Sequence, residues 1–89
     1  MINFQKIDAS KTHKVSKITI PGFEKTEYSY NKDNDKIIFV SNGSGIVTIN
    51  TVDFRISKKS SVLIEKDKEY LIANTLEKED LILVEIEIF

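Results

Sequence analysis

The sequence has no cysteine, no tryptophan, one histidine, one proline and three glycines in 89 residues. Without cysteine there is no disulfide framework, no thiolate nucleophile and no cysteine-type zinc site. With His13 alone, no multi-histidine metal centre forms within one chain. No apolar run approaches the ~20 residues of a membrane span, and Met1–Gln5 lacks a signal-peptide pattern. The expectation is a cytoplasmic protein with no membrane partner. Thirteen basic against 14 acidic residues give a net charge of −1, which leaves no footprint for nucleic acid.

What is present describes one globular domain, with hydrophobic residues at 40% and charged residues at 30%. Charge is mildly uneven. Residues 1–20 carry Lys6, Lys11, Lys14 and Lys17 against Asp8, whereas residues 65–89 carry eight acids against three lysines. Solvated strand faces and loops account for such a distribution. Isoleucine, valine, threonine, phenylalanine and tyrosine recur in short runs, which is strand chemistry. The runs are Ile2–Ile7, Val15–Ile20, Glu24–Tyr30, Lys36–Ser41, Gly45–Asn50, Asp53–Ser57, Ser61–Glu65, Glu69–Asn74 and Leu81–Phe89. Turn-forming residues separate them, including Pro21-Gly22, Asn42-Gly43 and the stretch from Thr75 to Asp80. Asn42-Gly43-Ser44 also fits a glycosylation triplet but reads as one of these turns. In the last run Ile82, Val84, Ile86 and Ile88 share one face and Glu85 and Glu87 the other, predicting a half-buried antiparallel strand. No ten-residue window carries a helical apolar stripe. The fold class is all-β, a small sandwich or barrel.

The segment KIIFVSNGSGIVTIN (Lys36–Asn50) runs an apolar strand into a glycine-bearing turn and leaves it on a second strand. Upstream, Pro21-Gly22 precedes Tyr28-x-Tyr30; downstream, SVLIEKDKEYLIAN (Ser61–Asn74) places Tyr70 and Asn74 after a strand and a short turn. In spacing this pattern resembles the cupin superfamily. The frame VSKITIPG (Val15–Gly22) and LILVEIEI (Leu81–Ile88) is similar to the cupin domain of type II mannose-6-phosphate isomerases. The resemblance implies a single cupin-type jelly-roll barrel over residues 1–89, with 1–14 as an N-terminal arm and 15–89 as the barrel. Metal-binding cupins hold an ion with three histidines and a glutamate. Here Tyr28, Tyr30 and Tyr70 stand at the histidine positions, and Lys36 or Asp35 at the glutamate's. Neutral phenols are poor ligands for a divalent ion and an ammonium is none, so no metal or other cofactor is expected.

Period-two geometry puts Tyr28 and Tyr30 on one face, and Tyr70, Ile72 and Asn74 on another. In the cupin register these side chains point into the barrel beside Lys36. Tyr28, Tyr30, Lys36, Tyr70 and Asn74 are therefore the candidate ligand contacts, suited to a sugar-like or anionic small molecule. Two alternatives stand beside that binding module. One is a metal-independent sugar isomerase or epimerase, with Tyr and Lys as acid and base. The other is a structural or interaction protein whose barrel is plugged by its three tyrosines. His13 lies in a polar stretch and reads as solvated, while Arg55, between Phe54 and Ile56, should face outward. Ser41 and Ser44 have no histidine nearby, and Gly43-x-Gly45 is a hairpin with no helix after it. Asp33 and Asp35 form no assignable acid–base pair. Ile37–Val40 is apolar on both faces, so its outer face needs a second sheet layer, the N-terminal strand or another subunit. A homodimer is the expectation there.

Overall fold

The computed structural model describes residues 1–89 and contains nine strands and no helix. In chain order these are β1 (Asn3–Ala9), β2 (His13–Ile20), β3 (Ser29–Asn31), β4 (Asp35–Asn42), β5 (Ser44–Ile49), β6 (Val52–Ser57), β7 (Ser61–Ile64), β8 (Lys68–Asn74) and β9 (Leu81–Ile88). They form two antiparallel sheets, one of five strands in the order β1-β2-β9-β4-β7 and one of four in the order β3-β8-β5-β6. Asn50 and Thr51 take the left-handed conformation in the tight turn of the β5–β6 hairpin. Gly43, at φ +88°, turns β4 into β5, but these strands lie in different sheets and do not pair, so the expected Gly43-x-Gly45 hairpin is instead a turn that carries the chain from one sheet to the other.

Side chains paired across strands lie on the same face, so the register fixes what points between the sheets. Ile18, Ile20, Ile38, Val40, Val47, Ile56, Ile64, Ile72, Leu81 and Leu83 are each no more than 3% exposed and fill that space with Tyr70. The filling is aliphatic. The expected plug of three tyrosines is not present, because two of them lie outside.

The run Glu24–Tyr30 is strand only at its end. Lys25 makes an isolated bridge to Ala73, the Thr26 N–H donates to the Ile72 carbonyl, and regular pairing begins at Ser29. Ser29 pairs with Tyr70 and Asn31 with Lys68, so Ser29 and Asn31 face inward. Tyr28 and Tyr30, each 56% exposed, face solvent, which corrects the expectation that they line the barrel. The anchor is Asn31, 3% exposed, whose amide donates to the carbonyls of Ile64 and Glu65 at 3.0 and 3.1 Å.

A second correction concerns β9. Leu81 and Leu83 face inward opposite Ile20 and Ile18, and by alternation Glu85 and Glu87 face inward too. Ile82, Val84 and Ile86 form the outer face. Because Leu81–Val84 is apolar on both sides, alternation alone left the choice to the neighbouring strands. Arg55 is exposed on the outer face as expected, across from Ile46.

Candidate functional site

The inner face of the five-stranded sheet changes character along the strands. At one end Val40, Leu83 and Ile18 lie abreast on β4, β9 and β2; at the other the rows are Ile38–Glu85–Ser16–Lys6 and Lys36–Glu87–Lys14. The barrel is thus a packed aliphatic half beneath a charged mouth.

Within the mouth the Lys36 Nζ lies 3.2 Å from Glu85 Oε1 and donates to the Tyr70 hydroxyl at 3.3 Å. It also stands 5.6 Å from the Tyr70 ring centroid, within cation–π range. The Lys36 and Glu85 side chains are only 18% and 16% exposed. Burial pulls the Lys36 pKa down, but the Glu85 carboxylate and the Tyr70 phenol outweigh it, and the net shift is upward. Burial, then the Glu85 charge, raises Tyr70 as well, against the lowering effect of Lys36. Both groups therefore hold their protons at neutral pH. Glu87 accepts a hydrogen bond from the Asn34 amide at 3.0 Å.

Above this cluster opens a cleft of about 400 Å³, lined by Phe4, Gln5, Lys6, Lys14, Ser16, Lys36, Tyr70 and Glu85. That volume is in the range of small-molecule sites. A cleft of about 470 Å³ lies beyond Phe4 along Met1, Glu24 and Lys25, so volume alone does not single out the mouth. The distinction is the half-buried charged cluster at its base. Behind Tyr70 a cavity of about 40 Å³, lined by Ser29, Thr26 and Ile72 among others, has room for water but not for a sugar.

The candidate contacts separate accordingly. Lys36 and Tyr70 meet in the mouth. Of the two possible residues at the acid position, Lys36 faces inward, while Asp35 lies outside and accepts a bond from the Lys66 N–H. Tyr28 and Tyr30 are on the outer face, where the Tyr30 hydroxyl donates to Asp67 at 3.0 Å, a bond that raises the Tyr30 pKa. Asn74 faces inward at 3% exposure, but its amide donates to the Ile20 and Glu79 carbonyls and its oxygen accepts the Leu76 N–H. It ties the β8–β9 connection to the end of β2 and has little left for a ligand. Sequence reasoning missed Glu85, taken as an outward charge, and Lys6, Lys14 and Ser16, which only pairing with their neighbours brings to the mouth. The signal for Glu85 was its spacing of two from Leu83 and four from Leu81.

The resident metal of metal-binding cupins finds no fitting donor set here. No three His, Cys, Asp or Glu side chains converge anywhere in the molecule. The mouth offers three ammoniums, a phenol and two carboxylates, of which Glu85 is paired with Lys36 and Glu87 is held by Asn34. His13 lies at the start of β2 beside Asp8, at 3.5 Å.

No protein-family model and no curated protein matches the sequence. Solved structures do match the fold. The cupin domain of Schizosaccharomyces pombe Cnp3 superposes with a TM-score of 0.91 at 19% identity, over 98% of this chain and 64% of that one. A Thermotoga maritima protein described as an oxalate decarboxylase by prediction gives 0.89 at 15% identity, over 99% and 80% of the two chains. KdgF from a Halomonas species gives 0.85 at 12%, over 99% and 79%. The chain spans less than two thirds of the first of these. At such identities the likeness is one of architecture: the chain has the cupin jelly-roll fold.

Proposed function

We propose that this cupin-fold barrel is a metal-free binding or accessory module that takes a small polar molecule, a sugar or sugar derivative, in the cleft at its mouth. The observation that carries the reading is the Lys36–Tyr70–Glu85 cluster at the base of that cleft, polar, mutually satisfied and open on one side. A barrel whose only task was structural gains little from a half-buried ion pair, since aliphatic packing of equal volume is often as stable or more so. The preference for a sugar derivative rests on the sequence likeness to the mannose-6-phosphate isomerase cupin domain. The isomerase or epimerase alternative is less favoured. A general base needs a Lys or Tyr pKa brought down toward neutrality, and both groups shift upward.

Thermal-shift titration with sugars and sugar derivatives tests binding, with stabilisation that grows with ligand concentration as the expected result. Elemental analysis of the purified protein tests the metal-free part; a stoichiometric transition metal would overturn it. The reading includes a homodimer formed through the outer face of the five-stranded sheet. Ile37, Phe39, Val84 and Ile86 lie abreast there, and neither the second sheet nor β1 covers them. A second copy brings the same face and covers both.

A further inference from the structure

We propose that the ligand of the mouth cleft carries an anionic group, a carboxylate or a phosphate, and that Lys6 and Lys14 hold it. This rests on the binding reading above and narrows its ligand class. Three lysines line the cleft against one carboxylate, in a chain whose overall charge is −1. Lys36 is not the free cation of the three, because Glu85 neutralises it at 3.2 Å, and recruiting it would strand a half-buried carboxylate. Lys6 and Lys14 differ from it. The ion pairs of the molecule are Met1–Glu24, His13–Asp8 and Lys36–Glu85, so neither of these lysines has a carboxylate within ion-pair distance.

Strand register puts both on the inner face at the same end of the barrel. Lys6 pairs with Ser16, two residues from Lys14 on β2 and on the same face of it. Glu87, abreast of Lys14, is held by Asn34 and does not line the cleft. The remaining lining suits the uncharged part of such a molecule. The Tyr70 oxygen accepts from Lys36, which leaves its O–H to donate. Ser16 adds a hydroxyl, and Phe4, 64% exposed, gives an apolar wall against which a sugar ring can lie. Anion at the rim and hydroxyl-bearing carbon toward Tyr70 is the orientation that uses every group without breaking the Lys36–Glu85 pair.

Isothermal titration calorimetry with D-gluconate, D-glucose 6-phosphate and D-glucose at fixed ionic strength tests this, on the wild-type chain and on Lys6→Gln/Lys14→Gln. Both lysines are exposed strand residues, so the double variant should keep its fold, which circular dichroism checks. One or both anions should bind roughly tenfold or more tightly than glucose, as charge-assisted hydrogen bonds provide. That advantage should vanish in the double variant and shrink with added salt. Preference for gluconate assigns a carboxylate; preference for the phosphate ester assigns a phosphate. Equal binding of glucose and the anions, or an advantage that survives loss of both lysines, overturns the inference and leaves the binding reading standing. No binding of any of the three overturns the binding reading itself.

Discussion

Lys36 has a carboxylate at 3.2 Å, a phenol at 3.3 Å and a side chain only 18% exposed, so its charge depends on its neighbours. Replacing it by methionine leaves Glu85 half-buried and unpaired, and should lower stability by about 1–3 kcal/mol in urea denaturation. Lys36→Met combined with Glu85→Leu should recover most of that loss, since a matched apolar pair has no charge to strand. A double variant no more stable than Lys36→Met would sink the account. The same cluster sets a pH dependence. Lys36 and Tyr70 both have folded pKa values above their ordinary values near 10, so the native state holds these protons more tightly than the unfolded chain. Their stabilisation is complete below about pH 10 and is lost as pH rises through the folded values. Urea midpoints should therefore fall on the alkaline side above about pH 10, and Lys36→Met/Tyr70→Phe should flatten that fall. Tyr30, also raised, adds a surface contribution that the double variant leaves in place.

At the scale of a strand, β3 shows how one residue of register decides a site. Tyr28-x-Tyr30 has the spacing of an inward pair, yet Ser29 and Asn31 are the residues that face the barrel. The reason is a hydrogen-bond requirement that no hydrophobic pattern reports. The Asn31 amide completes the backbone carbonyls of Ile64 and Glu65, and a two-residue period then turns both tyrosines to solvent. Asn31→Ala should cost about 1–3 kcal/mol, because the buried Ile64 carbonyl and the part-buried Glu65 carbonyl lose their donor. Tyr30→Ala should stay within ~1 kcal/mol, its bond to Asp67 being exposed. Equal losses measured side by side would contradict this register. β9 was ambiguous in a different way. Its Leu81–Val84 stretch suits burial on either face, and the partners Ile18, Ile20 and Val40 select Leu81 and Leu83, carrying Glu85 inward with them. Strand existence was clear across most of the chain, but clean alternation did not fix side-chain direction: Val84–Ile88 alternates perfectly, and pairing with β2 and β4 still carries Glu85 and Glu87 inward.

Taken whole, the molecule has one layer interface that is closed and one sheet face that is not. Outside the five-stranded sheet, Phe39, Leu63 and Ile88 are 40%, 54% and 44% exposed beside Ile37, Val84 and Ile86. Under the dimer proposal, light scattering should give twice the chain mass, and Phe39→Lys should shift it to one chain by placing an ammonium in the middle of the apolar face. A concentration-independent single-chain mass for the unaltered protein would end that proposal.

The sequence by itself determined that the chain is all-β, where most strands and turns fall, and that the histidine ligands of a metal-binding cupin are missing. These are properties of composition, period and spacing, which neighbours along the chain carry. The tertiary structure alone decided which residues meet in the mouth. Lys36 rather than Asp35 points in, Glu85 is its partner, Tyr28 and Tyr30 are outside, and Asn74 is committed to backbone carbonyls. Each of those outcomes depends on pairing between strands distant in sequence. A side chain's direction is set by the hydrogen bonds and packing of its partner strand, and local pattern does not contain that information.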